Sequence, residues 1–192
     1  PELFRRQLQY LKSQGFTTIT FDDLWNVLIH EVRPSEKSII LTFDDGWKNQ
    51  YTFAFPLLKK YKMRATFFIF TNAIGHKNYF NWDELRELVE AGFVIGSHTK
   101  SHPYLQKLSL IELRKEIVES KNILEQGLHM PVTAFASPFG YDDVAVAAML
   151  KEAGYHTGRT LRWGATHTKE DLLNLSSFQV TDDFEAFRAI VD

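Results

Sequence analysis

Two adjacent carboxylates, Asp44 and Asp45, follow the apolar run Ile39-Ile40-Leu41-Thr42-Phe43 and precede Gly46. Two histidines, His98 and His102, stand four residues apart in Ser97-His98-Thr99-Lys100-Ser101-His102-Pro103. Like charges side by side at the tip of a core strand are costly unless a cation or a proton sits between them. Histidines at i and i+4 lie one above the other if the segment takes a helical turn, and both imidazoles then reach one metal ion. Each motif is weak by itself. The aspartates also read as solvated loop residues or as a helix N-cap before Trp47 and Lys48, and exposed histidine pairs are common. Together they describe two histidines and one carboxylate, three protein ligands with an open position, which is the pattern of a catalytic zinc-type site. One aspartate would bind the metal. The other would stay free, within reach of a metal-bound water whose proton it accepts. Thr99 and Ser101 offer hydroxyls to orient the ligands or cap the turn.

The elements that must position these residues alternate along the chain. Seven short apolar or β-branched runs read as strands: 16–20, 38–43, 65–70, 93–96, 132–136, 155–158 and 173–180. Helical spacing covers 2–14, and a helix through Leu24, Val27 and Leu28 is expected to be capped by Asp22 or Asp23. Residues 49–61 are helical, with Pro56 either kinking the helix or lying in its first turn. Asn81 caps a helix to Glu90, Ser109-Leu110-Ile111-Glu112 is a capping box opening a helix to about Gly127, Asp142 or Asp143 caps 144–153, and Asp183 starts the last helix. Such alternation implies right-handed βαβ units and a parallel sheet. The polar motifs all fall at the C-terminal ends of strands, as in closed β/α barrels. The expected fold is therefore α/β, an irregular seven-stranded (β/α) barrel, although an open doubly wound sheet also places sites at strand ends.

A length of 192 residues suits one domain, with 44% hydrophobic and 14% aromatic residues to build its core. The net charge of −2 gives no support to a nucleic-acid partner. There is no cysteine, so no thiolate nucleophile or ligand, and no apolar run approaches a membrane span. The first residue is Pro1, from which a truncated N-terminus is expected.

A third motif, Phe135-Ala136-Ser137-Pro138-Phe139-Gly140-Tyr141, follows the 132–136 run. Alone it reads as a turn before a helix. With Thr42-Phe43-Asp44-Asp45-Gly46 and His98-Thr99-Lys100-Ser101-His102-Pro103 it resembles the polysaccharide deacetylase family, the NodB-homology domain of carbohydrate esterases. The resemblance runs to at least residue 158 and implies a single such domain over 1–192. It implies Asp44 as catalytic base, and Asp45, His98 and His102 as ligands of one divalent ion (Zn, Co, Ni or Fe). It implies the backbone N–H of Phe139 as an oxyanion donor. The reaction would be hydrolysis of N-acetyl groups on an N-acetylglucosamine-containing polysaccharide. Trp47, Pro138, Tyr141 and Trp163 are candidate substrate contacts, each also explicable as ordinary packing.

Two positions depart from that pattern. Many members carry an arginine two residues before the proline of the third motif, orienting the base. Here that residue is Ala136, and no such arginine is expected. Many also carry a late Leu-x-His motif supplying the general acid, and neither His156 nor His167 sits in one. Both departures resemble the exported branch that acts on biofilm poly-β-1,6-N-acetylglucosamine, whose acid histidine precedes the first helix. The expectations are then a monomeric extracellular or cell-surface enzyme whose general acid lies upstream of Pro1. Alternatives are a deacetylase of chitin-type or peptidoglycan N-acetylglucosamine, a catalytically weak carbohydrate-binding relative, a non-haem iron oxygenase with the same ligand set, and a β/α domain without metal.

Overall fold

The computed structural model describes residues 1–141 and 143–192. Asp142, one of two aspartates expected to cap the helix at Val144, lies outside the described residues; Asp143 does cap it, accepting from the Ala145 N–H at 2.6 Å.

Five strands form one parallel sheet in sequence order: β3 (Thr42–Phe43), β4 (Thr66–Ile69), β5 (Val94–Ser97), β6 (Ala134–Ala136) and β7 (Thr157–Arg159). The sheet curls into a half-barrel with helices outside. A second, two-stranded sheet pairs β1 (Thr17–Thr18) with β2 (Ser38–Ile39). The single strand expected over 38–43 is thus divided at Ile40-Leu41. Its first half pairs with β1 and its second with β4, so one extended segment serves two partners and bends between them. The seventh expected strand, 173–180, is reduced to a bridge between Leu175 and Arg159. Leu175 donates to the Gly158 carbonyl at 2.7 Å and accepts from the Thr160 N–H at 2.9 Å. The chain then leaves the sheet edge.

The strands alternate between two cores, as a period of two requires. On β4, Phe67 and Ile69 enter the outer core beneath the helices. Phe68 points the other way and packs with Ala134, Ala136, Leu175, Phe21 and Leu24 inside the curl. The last two belong to α2 (Phe21–His30), which fills the inner face. Its cap is Thr20, not Asp22 or Asp23. The Asp23 N–H donates to Thr20 Oγ1 at 3.1 Å and Asp23 Oδ2 accepts from the Thr20 N–H at 2.8 Å, a capping box that uses both residues.

Outside the sheet lie α1 (Glu2–Ser13), α3 (Phe55–Tyr61), α4 (Trp82–Glu90), α5 (Leu110–Arg114), α6 (Ser120–Leu128), α7 (Val144–Glu152) and α8 (Phe184–Val191). The expected helix at 49–61 begins as a π-turn over Gln50–Ala54, and Pro56 lies in the first turn of α3, which continues from it. A second π-turn, Lys115–Glu119, joins α5 to α6.

The inner face has no room to spare beside Phe68. A Cβ on Gly96 would come within 2.4 Å of the Phe68 ring and 3.1 Å of the Ala134 carbonyl oxygen. Gly96→Ala is expected to destabilise the fold by about 1–3 kcal/mol, the usual cost of overpacking a filled core. Urea denaturation checks this, and an unchanged midpoint would contradict it.

Candidate active site

All three motifs meet at the C-terminal rim of the sheet. Asp44 and Asp45 follow β3, His98 follows β5, and the 3-10 turn Pro138–Gly140 follows β6. Asp44 leaves β3 with its side chain toward β7. Strand alternation alone would send Asp45 to the outer face, and its positive φ of 73° brings the carboxylate round to the rim instead. Gly46 continues the turn at φ 74°, and a Cβ there would meet Ile69 Cδ1 at 2.9 Å. Adjacent acids are thus aimed at different partners.

Asp45 faces the histidines. Its Oδ1 lies 3.5 Å from His98 Nε2 and 3.2 Å from His102 Nε2, while Oδ2 accepts from the Trp47 indole N–H at 3.0 Å. One ligand atom from each of Asp45, His98 and His102 falls within 4.8 Å of the others, the group among the described residues able to share an ion. His98 is buried, and its Nδ1 lies 2.7 Å from the Ala136 carbonyl oxygen. A carbonyl only accepts, so Nδ1 carries the proton and the Nε2 lone pair faces Asp45 and His102. This donor set and tautomer fit a divalent ion.

The two histidines do not lie on a helical turn, the condition under which their spacing would stack them. His98 continues the extended strand, and the chain then turns through Thr99 at φ 70° and His102 at φ 60°. The turn is closed by Thr99 Oγ1, which accepts from the His102 N–H at 3.0 Å, and by Glu116, which accepts from the Lys100 and Ser101 N–H groups at 2.9 and 2.8 Å. Of the seven non-glycine residues with positive φ among those described, Asp45, Thr99, His102 and Phe139 belong to this rim. Backbone conformations of this kind persist where the surroundings over-determine them.

Asp44 has the partner that the sequence withheld. Arg159, at the end of β7, donates Nη2 to both Asp44 oxygens, at 2.6 and 2.5 Å. The expectation of no orienting arginine is therefore corrected. Arg159 pairs in register with Ala136 on the neighbouring parallel strand, so both side chains point into the curl in the same layer. The arginine stands one strand over from the expected position. It is buried against Phe68, with its guanidinium 5.4 Å from the ring centroid. The sequence signal was a charged residue directly after the short strand run 155–158. Gln50, from the π-turn, adds a bond from its side-chain amide to the Asp44 carbonyl oxygen at 2.5 Å.

Phe139 sits at φ 58° and ψ 13° with its ring half exposed. That ring stacks on Tyr104 at 3.9 Å and 7°, and lies 4.8 Å from His102. Pro138 is buried in the same turn. Trp47 lies on the opposite side of Asp45, stacked on Tyr79 at 4.5 Å. Tyr141 places its hydroxyl 3.2 Å from Asp143 Oδ2 and packs against the outer core. Trp163 is largely exposed, and its ring contact is with Phe178 at 4.6 Å rather than with Asp45, His98 or His102. His156 immediately precedes β7, at the end of the strand remote from the rim, and stacks on Trp25 at 4.7 Å.

Fold and site together define a β/α hydrolase-type domain with an Asp-His-His centre beside an arginine-held carboxylate. Residues 31–158 match the family model described as polysaccharide deacetylase. Over 191 residues the chain is 30% identical to YxkH of Bacillus subtilis (strain 168), assigned by its name to the polysaccharide deacetylases, with 98% of this chain and 68% of that one covered. It is 26% identical to the poly-β-1,6-N-acetyl-D-glucosamine N-deacetylase of Staphylococcus aureus (strain MSSA476), over 94% of this chain and 67% of that one. Among solved structures, the Streptococcus pyogenes deacetylase PplD in complex with acetate superposes with a TM-score of 0.94 at 26% identity, covering 100% of this chain and 87% of that one. The chain belongs to the polysaccharide deacetylase family.

Burial, the largest influence, holds the His98 imidazole below its ordinary pKa of 6.5, against the opposing charge of Asp44. The hydrogen bond from His102, the largest influence there, holds Asp45 below its ordinary 3.8. In both cases the unfolded state takes up protons first as pH falls, so stability is full above the unfolded pKa and is lost below it. The windows are separate: His98 acts below 6.5 and Asp45 below 3.8. The melting temperature of chelator-treated protein is expected to fall from about pH 7 to about pH 5, and His98→Gln to flatten that fall. Parallel curves for the two proteins would contradict the assignment.

Proposed function

We propose that this chain is a metal-dependent N-deacetylase of poly-β-1,6-N-acetylglucosamine, acting outside the cell or on its surface, where such a polymer lies. The observation that carries the activity is the Asp44 carboxylate, fixed by Arg159 beside three donors from Asp45, His98 and His102 that lie within 4.8 Å of one another. The preference for the β-1,6 polymer is supported by the likeness to the Staphylococcus aureus enzyme, which extends over 94% of this chain.

Asp45, His98 and His102 would hold the divalent ion, with zinc, cobalt, nickel or iron all suited to the ligand set. Such an ion supplies Lewis-acid polarisation of a carbonyl and a more acidic water. The chain's own residues account for the remaining chemistry. Asp44 accepts the proton of the attacking water. Arg159 takes two of the lone-pair sites on that carboxylate, leaving others free for the proton, and fixes which way they face. The backbone N–H of Phe139, in the turn after β6, is the donor that would stabilise the oxyanion as the acetyl carbon becomes tetrahedral. The amide C–N bond then breaks and the leaving nitrogen takes up a proton, so amide and water give a free amine and acetate. The Tyr104–Phe139 pair and Trp47 border the centre from two sides, where sugar rings can stack.

Asp44→Asn is expected to lower kcat by about 100- to 10,000-fold, the usual contribution of a positioned base, with zinc still bound. Acetate release from N-acetylglucosamine oligomers measures it, and undiminished release would overturn the role of Asp44. Chelation is expected to abolish turnover and added zinc or cobalt to restore it. Faster release from β-1,6 than from β-1,4 oligomers or peptidoglycan fragments is the expected order, and the reverse order would overturn the substrate proposal.

A further inference from the structure

Asp45 has two oxygens and only one of them faces the histidines. Oδ1 lies within 3.5 Å of both Nε2 atoms, and Oδ2 is taken by the indole N–H of Trp47 at 3.0 Å. A carboxylate with one oxygen occupied by a fixed donor is restrained in rotation and presents the other oxygen as a single ligand atom.

The indole is itself pinned. Its ring stacks on Tyr79 at 4.5 Å and 24°, and the two residues form an antiparallel bridge. The neighbouring backbone is tied across the same pair of segments, Lys48 N–H to the Asn78 carbonyl at 2.7 Å and Phe80 N–H to the Gly46 carbonyl at 2.9 Å. Tyr79 meets the edge of Phe70 at 5.4 Å, and Phe70 packs on His102 at 5.4 Å. Asp45, Trp47, Tyr79, Phe70 and His102 therefore form a closed ring of contacts. It begins at one ligand and ends at another, whose side chains meet again at 3.2 Å.

We propose that Trp47 is a positioning residue for the metal-binding carboxylate, its indole N–H fixing Asp45 so that Oδ1 alone is offered to an ion shared with His98 and His102. This rests on the reading that those three residues hold a divalent ion. An exposed aromatic beside a sugar-processing centre reads first as a stacking platform. Here the indole has a polar task as well, and the Tyr79 stack serves to aim it.

The test is zinc affinity, measured by competition with a chromophoric chelator on wild-type protein, Trp47→Phe and Tyr79→Leu. Phenylalanine keeps an aromatic ring on Tyr79 and removes the N–H. Its zinc affinity is expected to fall by about 10- to 100-fold, the usual effect of losing a group that orients a ligand. Tyr79→Leu keeps the N–H and unpins the ring, and should fall between the two. The visible spectrum of the cobalt-loaded proteins is expected to differ between wild type and Trp47→Phe as the carboxylate turns. Wild-type zinc affinity in a folded Trp47→Phe would overturn the proposal. If that variant does not fold, unchanged affinity in Tyr79→Leu would do so instead. A wild-type protein that binds no zinc would refute the metal reading itself, and this inference with it, whereas equal binding by wild type and variant refutes this inference alone.

Discussion

Two carboxylates on consecutive residues at a half-buried strand end repel each other unless each is matched to its own positive or hydrogen-bonding partner. The rest of the structure follows from how that constraint is met. Strand alternation sends Asp44 to the inner face and a buried guanidinium, and the left-handed backbone of Asp45 brings the next carboxylate round to two imidazoles and an indole. If both side chains left the strand alike, neither division of labour would hold. Asp44 would compete for the ion, and Arg159 would be a buried cation without its counterion, which is strongly destabilising.

The half-barrel supplies those partners because its strands are parallel and in register. Parallel pairing brings the C-terminal ends of β3, β5, β6 and β7 to one rim, although they are far apart in sequence. The same pairing sets layers across the inner face. Ala136 and Arg159 share one such layer, and the small residue beside the large one lets the guanidinium lie over Phe68 and reach Asp44. Below that layer, Phe21 and Leu24 close the apolar floor. The polar centre therefore stands on a dry, filled base, which lowers the local dielectric and strengthens the charged contacts above it. The positive-φ residues gather at the rim because the chain must leave strand geometry abruptly there while keeping its side chains aimed inward.

Much of this was legible from residue types. Strand and helix alternation, the caps at Asn81, Ser109 and Asp183, and the three motifs at strand ends are local signals. Each depends on a few neighbouring residues and the periodicity they share. The division of 38–43 between two partners was not legible, because the apolar and β-branched run carries no break and only the curl of the sheet decides which neighbour each half meets. The cap of α2 was misplaced for a smaller reason. Thr20 and Asp23 both suit the first turn, and the choice between cap and N3 is settled by where the chain enters the helix. The histidine spacing suggested a helix because i and i+4 meet there, but a tight loop with two left-handed residues brings them together equally well.

The sequence by itself determined the chemistry: two acids and two histidines in motifs of a known kind, placed after apolar strands. Only the tertiary structure decided how those residues are supported. Arg159 lies 115 positions from Asp44, and no local pattern links them. Register across two adjacent strands does. Trp47 is two residues from Asp45, yet its role also depends on Tyr79, which a distant loop brings beneath it. The groups that react are fixed by residue identity, whereas the groups that aim them are fixed by packing, since orientation at a site is a property of neighbours in space.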